Sequence, residues 1–232
     1  MTRSYTIEDV EILPYSEDAT MERALREQGD SFLCRVWEQP EFCIVMGKSG
    51  QLPKEIHIPN VVKDNVSVYR REGGGGTVVL APGMLIISVA AHMRDPFSNM
   101  RYFKLIQQPI AECLQERGIA NVSQKGISDL AVDGRKILGS SMRRRGTFLL
   151  YQAVLLVRAE RELFATYLPH PPKEPDYREG RGHGDFTVSL EELGLRDTPA
   201  ELAEHLQASI PSRMSGLLED DLCGPEQIKW LK

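Results

Sequence analysis

Lys136, the pair Arg70-Arg71 and four consecutive glycines are the residues here whose types and spacing suit chemistry. Arg70-Arg71-Glu72 runs into Gly73-Gly74-Gly75-Gly76 and then into Thr77-Val78-Val79. Glycines lack Cβ, so a backbone built from them can turn successive N–H groups toward one point and hold phosphate or another anion. Two adjacent arginines add charge and forked donors matched to phosphate or carboxylate. The competing reading is a flexible linker. The run has no Ser or Pro filler and is flanked by strand-like sequence on both sides, which argues against a linker. Neither common phosphate fingerprint fits: no Gly-Lys-Ser/Thr closes the run, and a strand rather than a helix follows it. On the residues alone, an anion cradle and a structural turn stand level.

The second candidate is Gly134-Arg135-Lys136-Ile137-Leu138-Gly139-Ser140-Ser141. Asp133-Gly134 signals a tight hairpin, so Lys136 begins a strand whose alternate residues share a face. A lysine beside small residues can approach a substrate closely, whereas a lysine beside a hairpin turn is commonly a solvated surface residue. Arg143-Arg144-Arg145 reads as a solvated strand end or as a surface for an acidic protein. His183 and Asp185 are two ligand types without a third, so no metal site is expected.

The elements that must position these groups follow from the pattern. Ser16 to Gln28 is a helix stopped by Gly29, and Phe32–Trp37 and Phe42–Gly47 are strands around a Gln39-Pro40 turn. A strand leads into the glycines, and two short strands flank Pro82-Gly83. Arg101 to Arg117 is a helix bent at Pro109. The hairpin around Asp133-Gly134 is followed by a long strand, Thr147 to Val157, a short helix, Glu160 to Tyr167, and an amphipathic helix, Thr198 to Ile210. Leu168 to Asp185 is rich in Pro, Gly and charge. It is either a disordered linker or an ordered loop over a site.

With 232 residues, 41% hydrophobic, 26% charged and a net charge of −5, the chain suits one large α/β domain and not a general nucleic-acid binder. Four cysteines, Cys34, Cys43, Cys113 and Cys223, show no metal or CxxC spacing. The opening residues have no apolar core of the kind a signal peptide needs, and no apolar run is long enough to span a bilayer. A cytoplasmic protein without membrane contact is expected.

Taken together, RREGGGGTVVLAPG and SDLAVDGRKILGSS resemble the lipoate–protein ligase family, within the wider biotin/lipoate A/B ligase group. The stretch RVWEQPEFCIVMGKSGQ fits the same family, and the likeness runs from about Ile12 to Ile210. The resemblance implies an α/β (α+β) fold with a mixed, largely antiparallel sheet flanked by helices, of the class II aminoacyl-tRNA synthetase and biotin synthetase type. It implies a single catalytic domain over residues 1–232, without the large C-terminal accessory domain of the better-known ligases. It also implies ATP and Mg²⁺, lipoate as substrate, an apo lipoyl-domain acceptor, and a small accessory protein for adenylation in split ligases of the family. Lys136 takes the catalytic place, contacting the acid and the adjoining phosphate. Arg70, Arg71, Gly74, Gly75, Gly76, Thr77, Val78, Val79, Asp129, Gly139 and Ser140 take the substrate and nucleotide. The Val78/Val79 strand and the Leu149–Leu156 strand are expected to line an acyl slot, with Trp37 near it.

The chain departs from the family where a frequent HHGTLL reads LYQAVLL, at Leu150 to Leu156, and where Gly83-Met84 replaces the usual pair. The alternative activity is an octanoyl or lipoyl transferase acting from an acyl carrier protein or another lipoyl protein. That chemistry needs a thiolate with an activating base, and neither of the transferases' usual cysteine places carries a cysteine here. A binding-only relative and a biotin ligase are the remaining alternatives.

Overall fold

The computed structural model describes residues 5–224. In chain order the elements are β1 (Ile12–Pro14), α1 (Glu17–Gln28), β2 (Phe32–Glu38), β3 (Cys43–Met46), α2 (Leu52–Glu55), α3 (Ile58–Lys63), β4 (Val68–Arg70), β5 (Val78–Leu80), β6 (Met84–His92), α4 (Asn99–Glu116), β7 (Ser123–Lys125), β8 (Asp129–Val132), β9 (Arg135–Arg145), β10 (Phe148–Leu156), α5 (Glu162–Tyr167), α6 (His183–Phe186) and α7 (Pro199–Leu218).

They form two sheets. One is six-stranded and wholly antiparallel, in the order β2-β6-β10-β9-β8-β7; the other is four-stranded, in the order β1-β4-β3-β5. In the small sheet β1 and β3 run parallel to β4, and β5 runs antiparallel to β3. The back of the large sheet packs on α4 and α7 through Tyr102, Ile106, Ile110, Leu206, Ile210 and Met214. The front carries α1 at one end, where Met21 and Leu25 lie on Ala90, Phe148 and Leu150. The small sheet covers the rest of the front, with Val45, Leu80 and Val78 against Ile86 and Val154. With both faces covered, all nine residues of β6 are buried.

Gly29 ends α1 in the left-handed region at φ 72°, its N–H on the Leu25 carbonyl. Asp133 and Gly134 both have positive φ, 48° and 76°, the requirement of a two-residue hairpin turn. α4 runs on through Pro109, and α7 runs on through Pro211 to Leu218, eight residues beyond the expected end at Ile210. The apolar stripe of α7 continues through Met214 and Leu218, both fully buried, and that packing outweighs one lost backbone bond. The Arg143-Arg144-Arg145 run serves the fold. Arg143 and Arg145 pair with Glu22 of α1, and Arg144 donates to the Asp95 carbonyl while stacking over Tyr102. Among the described residues no helix is long and apolar enough to cross a membrane.

Candidate functional site

The glycine run is an ordered loop between β4 and β5, shaped from behind by Arg71. That side chain is only 6% exposed. Its Nε and Nη2 donate to the Gly74 carbonyl at 3.2 and 2.7 Å, Nη2 to Gly76 at 2.8 Å and Nη1 to Val45 at 3.3 Å. Burial pushes the guanidinium below its ordinary pKa, and Asp18, Tyr15 and Glu55 nearby oppose that. The Gly73 carbonyl accepts from Lys48 N–H at 2.9 Å, and Glu72 N–H is held by Asp18 Oδ2 at 2.6 Å. The loop's carbonyls are thus tied inward. Among the described residues no protein acceptor takes the N–H groups of Gly73 to Gly76, and Gly74 to Gly76 are exposed. Gly75 sits at φ 88°, and a Cβ on Gly47 would overlap its carbonyl oxygen. Gly47 is therefore a site residue the sequence analysis missed; its signal lay in the short Gly47-Lys48-Ser49-Gly50 turn after β3.

Arg70, expected beside the substrate, is committed elsewhere: its Nη1 donates to the carbonyls of Gly47, Lys48 and Gly50. Thr77 Oγ1 donates to Glu55 at 2.6 Å. Val78 faces the large sheet, whereas Val79 turns away into the outer core with Ile44 and Met46.

Lys136 reaches the same site because β9 carries a bulge. Ala131 pairs with Lys136 and Leu130 with Leu138, leaving Ile137 as an extra residue. Simple alternation would put Lys136 on the face opposite Gly139. The extra residue reverses that parity, and both Ile137 and Leu138 become fully buried. Lys136 now lies along Gly139, where a Cβ would stand 2.6 Å from its Cε and Nζ. Its Nζ meets Asp129 Oδ1 at 2.9 Å, with the lysine side chain 27% exposed and that of Asp129 8%. Asp129 Oδ2 accepts from Tyr177 Oη at 2.8 Å. Burial, and then that carboxylate, push the Tyr177 hydroxyl well above its ordinary pKa.

Ser141, two residues beyond Gly139 and about 7 Å along the strand, abuts the glycine loop: Cβ atoms on Gly73 and Gly75 would stand 3.3 and 3.9 Å from its side chain. Ser140, the serine expected at the substrate, faces the back of the sheet. It donates to the Ser128 carbonyl at 2.7 Å and accepts from Gln107 at 3.2 Å. The bulge count explains the exchange of roles.

The Leu168–Asp185 segment is the ordered alternative of the two readings. Arg178 and Arg181 stack on Phe186, and Arg181 donates to the Gly134 carbonyl at 3.0 Å. The segment brings Tyr177 onto Asp129. His183 Nε2 bonds the Pro169 carbonyl and is not placed with Asp185 as a ligand set. All four cysteines are free and buried. Burial raises the Cys34 and Cys43 thiols to about 12 and about 11. Cys223, bonded to the His92 backbone, lies at the far end of β9 from Lys136.

A loop with free N–H groups beside a fixed ammonium can hold a phosphate and an acid at one place, and can stabilise charge developing between them.

The profile of the lipoyl protein ligase A/B catalytic domain matches residues 14–210. Lipoate-protein ligase LplJ of Bacillus subtilis (strain 168) is 32% identical over 98 residues, which is 42% of this chain and 29% of that protein. The lipoate–protein ligase of Streptococcus pyogenes serotype M5 (strain Manfredo) is 29% identical over 106 residues, 44% of this chain and 30% of that protein. The matched stretches thus span under a third of these relatives. A bi-partite lipoate protein ligase solved from Thermoplasma acidophilum, described with its E2 lipoyl domain, superposes at a TM-score of 0.71. It shares 17% identity and covers 90% of this chain and 82% of that one. A lipoate-protein ligase A solved with ATP superposes at 0.61, with 19% identity over 91% and 93% of the two chains. At these identities the superpositions establish the fold: two sheets and their helices in the arrangement of ligase catalytic domains.

Proposed function

The chain belongs to the lipoyl protein ligase A/B catalytic domain family, and on that premise we propose that it attaches lipoate to a lysine of an acceptor lipoyl domain through a lipoyl-adenylate. The observation that carries this reading is the Lys136 ammonium, fixed by Asp129 about two strand residues from a glycine loop with unclaimed N–H groups.

In the first step a lipoate carboxylate oxygen attacks the α-phosphorus of ATP, and the bond to pyrophosphate breaks. The loop N–H groups and Lys136 neutralise the charge gathered on the phosphate and the acid. In the second step the acceptor amine attacks the acyl carbon, the bond to AMP breaks, and a proton passes to solvent. Lys136 then faces the charge growing on the carbonyl oxygen and on the departing AMP. Asp129 and Tyr177 are positioning residues, holding the ammonium where both charges develop. Arg71 acts through the backbone it shapes.

Beside Lys136 the described residues do not fit a protein-held Mg²⁺. Both oxygens of Asp129 are engaged, and the one grouping of potential ligands, Cys113, Glu116 and His205, offers a thiol and an imidazole between α4 and α7. The reading takes its acceptor from the lipoyl domain named with the Thermoplasma ligase and its nucleotide from the ATP named with ligase A. A thiol relay finds no support in four buried cysteines.

The test is the intact mass of an apo lipoyl domain incubated with this protein, lipoate, ATP and Mg²⁺. A lipoyl-sized gain is expected, and Lys136→Ala should lower its rate at least a hundredfold. Gain only from preformed lipoyl-AMP assigns adenylation to a separate partner protein. No gain from either donor overturns the reading.

A further inference from the structure

α4 and α7 pack side by side on the back of the large sheet, and their facing sides carry polar groups that the ligase reading does not use. From α4 come Glu112, Cys113 and Glu116; from α7 come His205, Ser209 and Arg213. Cys113 Sγ, a carboxylate oxygen of Glu116 and an imidazole nitrogen of His205 all lie within 4.8 Å of one another. Cys113 and Glu116 are three residues apart on α4, so one helix face presents both. His205 closes the triangle from α7. Cys113 is fully buried, and His205 Nε2 is buried with no hydrogen-bond partner among the described residues. The Glu116 side chain is 52% exposed, so the triangle has a sealed floor and one open corner.

Thiolate, imidazole and carboxylate together suit a borderline-soft divalent ion, whereas Mg²⁺ and Ca²⁺ take oxygens. Around tetrahedral Zn²⁺, bonds of about 2.0–2.3 Å set neighbouring ligand atoms roughly 3.3–3.7 Å apart. An ion therefore sits among the three atoms and needs no cavity beside them. The triangle has to draw in by at most roughly 1.5 Å, and Glu116 at the open corner is free to turn.

The charges balance as well. Arg213 Nη2 meets both Glu116 oxygens at 2.8 Å, and its Nη1 lies 3.6 Å from Glu112. If Glu116 turns one oxygen to an ion, the other remains for Arg213, which also keeps Glu112. The thiolate and the Glu116 carboxylate then offset the two charges of the ion. Burial raises the pKa of the Cys113 thiol. The ion has to displace the thiol proton, which passes to solvent.

We propose that Cys113, Glu116 and His205 form a zinc site that clamps α4 to α7, with a fourth position open to water. Arg213 competes with the ion for Glu116. The site belongs to the back layer, and the glycine loop lies on the front of the same sheet. Its ion ties two helices together and takes no part in the ligase chemistry, so either reading stands without the other.

The test is a calorimetric zinc titration of the full, tag-free chain after treatment with a chelator, with Co²⁺ as a spectroscopic probe. One zinc per chain is expected, with a Kd of about 10 μM or below. Cobalt should give a thiolate-to-metal charge-transfer band in the near ultraviolet, and Cys113→Ser should abolish it. His205→Gln and Glu116→Gln alter less buried positions and keep the test open should Cys113→Ser fail to fold. Each should weaken zinc at least about tenfold. Arg213→Gln should tighten it by freeing Glu116. Zinc at a hundredfold excess over Kd should raise the thermal midpoint by about 5–10 °C. Weaker binding than this, a cobalt spectrum without the sulfur band, an affinity that His205→Gln and Glu116→Gln leave unchanged, or a midpoint that saturating zinc does not move overturns the inference. The three side chains then serve helix packing alone.

Discussion

Two loops meet at β9, and they are held by opposite means. The Gly73–Gly76 loop has no side chains of its own and is shaped by a single buried arginine reaching its carbonyls from behind. The Leu168–Asp185 loop holds itself through its own side chains, with two arginines on Phe186, His183 on the Pro169 carbonyl and Tyr177 on Asp129. The first presents backbone N–H groups that no protein acceptor among the described residues takes, and it tolerates no added atom at Gly47, where a Cβ would overlap the Gly75 carbonyl oxygen. The second positions the partner of Lys136, and its hold is divisible into separate contacts. A backbone cradle should fail all at once, whereas a side-chain clasp should fail by degrees.

The largest effect is expected from Gly47→Ala. The added methyl group overlaps the Gly75 carbonyl and must displace the loop. Attachment should fall at least a hundredfold, with a stability loss of about 1–3 kcal/mol in urea melts. Full activity in this variant would break the comparison at its first term. Next is Tyr177→Phe, which leaves Asp129 paired with Lys136 but removes one of its two hydrogen bonds. A three- to tenfold fall in kcat is expected at nearly unchanged KM, with a stability change of about 1 kcal/mol. An unaltered kcat would mean that the second loop covers the site without holding it.

The smallest effect concerns pH. Burial lowers the pKa of His183, Arg178 and His170 lower it further, and the Pro169 carbonyl bond partly offsets this. The folded value lies below the ordinary one of about 6.5, so below that pH the opened state takes up a proton that the closed state refuses. The closed loop should be fully stable above about pH 6.5 and loosen as pH falls. Amide hydrogen exchange across residues 168–186, corrected for intrinsic rate, should quicken between pH 7 and 5.5 while the Lys48 and Glu72 amides, whose hydrogen bonds tie down the glycine loop, keep their protection. His183→Gln should remove that slope; a slope shared by both loops would mean that they open as one unit.

Much of the fold is legible because its signals are local. Gly29, Pro82-Gly83 and Asp133-Gly134 each end or reverse an element through the φ they require, and those elements stand where the residues indicate. The short pieces β1, β7, α2 and α3 are not legible. Three to six residues with little periodicity take their form from neighbours in space. The site divides in the same way. The glycine run and the lysine strand announce themselves. Arg70 and Arg71 read as ligand-facing because of their type, yet their donors go to carbonyls brought near by β3.

By itself the sequence determined where the chain turns, which runs are apolar, and that a glycine loop and a lysine hairpin exist. Those properties arise from interactions among residues a few positions apart. Only the tertiary structure decided that Lys136 shares a face with Asp129, that Ser141 and not Ser140 meets the glycine loop, that Gly47 must have no side chain, and that Cys113, Glu116 and His205 meet between α4 and α7. A bulge of one residue, the register of strands distant in sequence and the packing of two helices set these relations. The register is fixed by burying both faces of the large sheet at once, a condition no short stretch of the chain contains.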